Sequence, residues 1–227
     1  MIKSGIDQDA LIAQFAQATA KQGETLRKTV SEATLKALQG RELTLDNIRK
    51  VLKTVTEAAS AGAAQNPASA VDVEAMLSKA FAGMDGALLQ AVEAHRKALQ
   101  QFINQGLDLK DKQMKGAMAH LEKMEDVFFS TVTKAAQGTG SSLQAPWQQV
   151  LQTMKGKGTD TGSQASAAVE QLVEQARTAM RASRATSMSA TQAMMDSYAS
   201  LVSGVLIGMS EGLQPQAKAA AGRARRA

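Results

Sequence analysis

Histidine is the side chain best suited to proton transfer and metal ligation near neutral pH, and the sequence holds two, His95 and His120. They fall in consecutive helical segments. If those segments fold back on each other across Gly106, the two imidazoles approach. A metal site would also need carboxylates on the same faces, such as Glu93 or Glu122. No Glu-x-x-His pair of the di-iron bundle type occurs, and His95 lies on an apolar seam, so it reads as a half-buried imidazole. The glycine-rich segment Gly156-Lys-Gly-Thr-Asp-Thr-Gly162 is the next candidate. A phosphate loop needs Gly-Lys followed by Ser or Thr, with another glycine five residues earlier. Here Gly158 follows Lys157 and Leu151 stands in the first glycine position. The dinucleotide pattern fails as well, because Thr161 occupies its third glycine. The segment reads as a helix-breaking turn, with Thr161 or Ser163 as the N-cap of the next helix. No Gly-x-Ser-x-Gly elbow is present. Acidic residues stand beside cations (Glu24 with Lys28, Glu122 with Lys123) as solvated helix faces. The expectation is no enzyme, with no catalytic, cofactor-binding or metal residues.

What remains is a ladder. Ser200, Gly204, Gly208 and Gly212 recur every four residues, the first three inside the apolar stretch Tyr198–Met209. Each glycine costs a helix about 1 kcal/mol against alanine, so such a row is expected where another backbone comes close. Ala179, Ser183, Ser187 and Thr191 continue the spacing upstream, which fits a helix–helix seam better than a pore. Beyond Pro215, Lys218, Arg223, Arg225 and Arg226 carry four charges of a net +5. They could meet an anionic lipid surface, at about 1 kcal/mol per basic residue. Otherwise they form a disordered solubilising end. With no aromatic among them, nucleic acid is a poor partner.

Twelve methionines and abundant alanine, with 3% aromatics, predict ordered helices around a thin core. Such helices bury little area each, so self-association or a partner would add stability. The absence of cysteine excludes disulfides and thiolate metal sites. The first residues lack a signal-peptide layout. No run reaches the ~18–20 apolar residues of a membrane span; the stretch between Asp196 and Glu211 comes closest. A cytoplasmic protein is expected, at most peripheral to a granule or membrane.

The helical period runs through nearly every segment. A first region covers Asp7 to Gln39 with a break at Gly23, then Leu26, Val30, Leu35 and Leu38. Thr44 or Asp46 caps the next helix, which carries Ile48, Val51, Leu52 and Val55 and fades near Gly62. The clearest seam is Leu77, Phe81, Met84, Leu88, Val92, His95, Leu99 and Phe102, as in antiparallel bundles. A fourth helix carries Met114 to Val132. A short one comes next, with Pro146 near its first turn and Trp147 behind it. The last runs from Ser163 to Leu213. Leu35, Leu38, Leu43 and Leu45 are echoed by Leu99, Phe102, Leu107 and Leu109, a weak internal repeat. The expected architecture is all-α: an elongated bundle of about six helices in residues 1–213, with a flexible basic tail at 214–227. Two hairpins, 7–62 and 70–137, and C-terminal helices at 142–213 are a finer division.

In composition the chain resembles phasins, helical proteins that coat bacterial polyester granules; the likeness includes the end Ala219-Ala-Ala-Gly-Arg-Ala-Arg-Arg-Ala227. The segments Leu35-Lys-Ala-Leu38, Leu43-Thr-Leu-Asp46 and Gly158-Thr-Asp-Thr-Gly162 also resemble a family of uncharacterised helical proteobacterial proteins. The resemblances imply an all-α fold and, from phasins, a non-catalytic coat or scaffold at a storage granule or membrane face. The alternatives are a soluble oligomeric scaffold for another protein and a membrane-active protein using the ladder.

Overall fold

Helix α4, Ala70–Asn104, is the axis of the fold. Its predicted seam is buried throughout: Leu77, Phe81, Met84, Leu88, Val92, His95, Leu99 and Phe102 are each at most 1% exposed. The computed structural model describes residues 7–20, 23–39, 43–65, 70–104, 112–182 and 201–209. Of these, 94% are helical and none is in a strand.

Three helices precede α4: α1 Gln8–Ala20, α2 Gly23–Gln39 and α3 Leu45–Ala64. Each start has a local cause. Asp7 accepts the Ala10 N–H at 3.0 Å and opens α1, and Thr44 accepts the Asn47 N–H at 3.3 Å and opens α3, both as N-caps. α2 buries Leu26, Val30, Thr34 and Leu38. Thr34 takes the position expected for Leu35, which is half-buried; its hydroxyl donates to the Val30 carbonyl at 2.7 Å, so the buried oxygen is satisfied.

Two glycines set the crossings. A Cβ on Gly83 would lie 2.5 Å from the Arg27 carbonyl oxygen and 2.9 Å from Val30 Cβ, so α4 meets α2 backbone to backbone. A Cβ on Gly62 would lie 3.0 Å from Phe15 Cβ, where α3 meets α1. The pairings α1 with α3 and α2 with α4 interleave the first four helices, and their apolar faces merge in one core.

The expected fourth helix is two, α5 Lys112–Glu122 and α6 Met124–Gln137. The interruption is the single residue Lys123, still right-handed at φ −82°, ψ −5°. Burial continues across it through Ala117, Leu121, Met124, Phe128 and Thr131, so the period alone could not reveal it. α7, Ser141–Lys157, starts earlier and ends later than expected. Pro146 therefore sits in its second turn, where the missing N–H leaves the carbonyl of exposed Ser142 to solvent. Gly156 is helical, and the break falls at Gly158, whose φ of +74° favours glycine. α8, Asp160–Ala182, comes next. α4 contributes a fully buried alanine row, Ala87, Ala91, Ala94 and Ala98, and α8 contributes Ala165, Ala168 and Ala176 to the same core. A ninth helical segment, α9, covers 201–209. With α9, the described residues hold more helices than the six or so expected from sequence.

Candidate functional site

The densest polar cluster lies at the start of α8. Thr159 precedes the helix, and its hydroxyl accepts the Gly162 N–H at 2.9 Å. Thr159 is thus the cap, in place of Thr161 or Ser163, because the chain turns two residues earlier than the glycine pattern suggested. Asp85 of α4 accepts the Asp160 N–H at 3.0 Å and the Thr161 N–H at 3.1 Å. The Thr161 hydroxyl donates to the Asp85 carbonyl at 3.0 Å. Glu125 of α6 accepts from the Thr159 N–H at 3.1 Å and from the Thr159 hydroxyl at 2.6 Å. Helix starts expose unpaired N–H groups and a partial positive charge, and carboxylates answer both. A Cβ on Gly162 would overlap the Glu125 carboxylate, so glycine is needed for this approach.

A second polar contact ties α7 to α3. The Trp147 indole N–H donates to Ser60 Oγ at 2.9 Å, and Ser60 donates to the Thr56 carbonyl at 2.7 Å. Thr56 in turn donates to the Leu52 carbonyl at 2.7 Å. On the α4–α8 side, Arg96 donates to both oxygens of Glu93 at 2.6 and 2.8 Å and reaches Gln171 at 3.3 Å. The Arg96 hydrogen bond holds the Glu93 carboxyl below the usual range and raises the guanidinium in turn. The carboxylates and hydroxyls of these clusters are thus engaged between helices. Sequence reasoning missed these pairs. The turn Gly158–Gly162 was visible, but nothing local says that Asp85 and Glu125 converge on it.

The two histidines do approach each other. His95 is buried and its ring hydrogen-bonds to the Leu43 backbone; burial, then nearby His120, pushes its pKa down to about 3. It is a neutral core group at physiological pH. Among the described residues no cluster of three His, Asp or Glu side chains has a metal-holding arrangement.

Gly204 and Gly208 of the ladder lie on α9. Val202 and Leu206 turn into the core, while Gly204 and Gly208 are exposed. A Cβ on either glycine would meet no described atom within 4 Å. Close backbone approach at a glycine occurs among the described residues at Gly62 and Gly83, and a carboxylate closes on Gly162. Ser200, Gly212 and the tail cations Lys218, Arg223, Arg225 and Arg226 lie outside the described residues, as do Leu107 and Leu109 of the weak repeat.

Fold and clusters together define an all-α bundle with polar ties between its helices. The chain belongs to the family of unknown function DUF6781, which matches residues 1–215. No curated protein and no solved structure matches it.

Proposed function

We propose that the protein is a non-catalytic helical scaffold that meets an apolar surface, a storage granule or a membrane face, through α9. The observation that carries this reading is Ile207. At 36% exposure it is the exposed large hydrophobic residue among the described ones, and it shares a helix face with open Gly204 and Gly208. The bundle supports the same division of labour. The α4 seam is buried in the core, whereas Ile207 on α9 is exposed. The small residues at Gly204 and Gly208 would let a flat surface, or a second α9, reach the helix backbone. The cationic tail would add a salt-sensitive attraction to anionic lipid.

Among the described residues no helix is long and apolar enough to cross a membrane, which favours contact at a surface over insertion. Flotation of the full chain with polyester particles and with phosphatidylglycerol vesicles tests the reading. Partitioning should be lost in Ile207→Glu. Removing residues after Pro215 should remove only the part that salt also removes. Absence of partitioning at low salt would favour a soluble scaffold for another protein, which the polar exterior of the bundle also suits.

A further inference from the structure

A groove of about 740 Å³ runs between α6 and α7. One side is a continuous face of α6: Asp126, Phe129, Ser130, Thr133, Lys134 and Gln137 each have a neighbour three or four residues away. α7 supplies Leu151, Gln152 and Lys155. The floor is apolar and fixed. Phe129 is half-buried, its ring centroid 5.6 Å from that of Phe81 and 6.1 Å from that of Phe128. Leu151 is also half-buried. Asp126 to Gln137 spans ~16 Å at 1.5 Å per residue, about three turns of a docked helix.

The rim is cationic. Lys134 stands on the ridge between this groove and a second one, of about 470 Å³, which adds Arg49, Lys50 and Lys53 from α3. The two grooves together carry five cations against the carboxylates of Glu57 and Asp126. Arg49 is engaged by Asp46 and Lys53 by Glu57. Among the described residues no ion pair engages Lys50, Lys134 or Lys155.

We propose that the α6–α7 groove docks an acidic amphipathic helix of a partner protein. Its apolar side would lie on Phe129 and Leu151, and its carboxylates would face Lys134 and Lys155. Charge complementarity selects this occupant. The chain's own tail, with Lys218, Arg223, Arg225 and Arg226, would be repelled by the same rim. A bilayer is too flat to reach an apolar floor recessed between two helices, whereas a third helix fits there. The site is on different helices from α9, so it is independent of the surface contact proposed above.

The test uses the full chain and a fluorescent helical peptide of alternating leucine and glutamate faces, with its lysine counterpart as control, read by anisotropy. The glutamate peptide should bind and the lysine peptide should not. The double substitution Lys134→Glu with Lys155→Glu touches only exposed side chains, and it should weaken the glutamate peptide by about tenfold or more. Ile207→Glu should leave that affinity unchanged. Equal binding of both peptides would overturn the proposal, as would affinity unaltered by the charge reversal, which would place the peptide on the tail. Loss of vesicle or oligonucleotide binding in the reversed variant, without peptide binding in the original, would also overturn it, assigning the cations to lipid or nucleic acid.

Discussion

The indole N–H of Trp147 donates to the Ser60 hydroxyl across 2.9 Å, joining α7 to α3 inside the core. Both residues are buried, so neither has water to turn to. Ser60→Ala should leave the indole N–H unsatisfied and cost about 1–3 kcal/mol. Trp147→Phe should cost a similar amount, adding lost volume to the lost donor. Urea unfolding monitored by circular dichroism measures both. A stability unchanged in Ser60→Ala would mean that the bond contributes nothing.

Glycines on different helices should respond to alanine with opposite signs. At Gly83 and Gly162 the added methyl would meet the Arg27 carbonyl and the Glu125 carboxylate. At Gly83 the obstacle is backbone, and overpacking of about 1–3 kcal/mol should outweigh the gain in helix propensity. At Gly162 the Glu125 side chain must swing aside, and losing its bonds to Thr159 should cost about 1–3 kcal/mol. At Gly204 and Gly208 the methyl meets no described atom, so alanine should stabilise by up to about 1 kcal/mol. Melting temperatures of the four variants decide. A loss at Gly208 that depends on protein concentration would instead place a second copy against that face.

Stability should fall as the pH drops below neutrality. His95 is neutral in the fold, its pKa pushed down to about 3 by burial and then by His120, against about 6.5 in the unfolded chain. Above that value both states are neutral and stability is complete. Between it and 3 the unfolded state binds the extra proton, so stability declines by at most about 1.4 kcal/mol per pH unit. Glu93, whose carboxyl the Arg96 hydrogen bond holds below 4.5, adds loss in the same direction only at lower pH. Unfolding at pH 7 and at pH 5 therefore isolates the imidazole. The slope should flatten in His95→Gln, and an equal slope in both proteins would assign it elsewhere.

The α4 seam was legible in the sequence because one period governs both pattern and burial, from Leu77 to Phe102. Thr44 was legible as a cap because capping is local. Gly62, Gly83 and Gly162 were not distinguished from Gly204 and Gly208. A glycine at a crossing and one in the open differ only in what lies across from them, which is tertiary information. For the same reason Asp85 and Glu125 read as surface acids until α8 was placed between them. The break at Lys123 was invisible because the buried stripe crosses it unbroken. The all-α class itself came from the helical period.

The surface contact assigned to α9 is tested most directly by amide hydrogen exchange of the full chain, free and bound to polyester particles. Protection should rise in residues 201–209 on binding and stay unchanged in α4, whose seam remains inside the bundle. Ile207→Glu should abolish the rise. Loss of protection along α4 on binding would contradict this, because it would mean that the bundle opens and coats the surface with its own core.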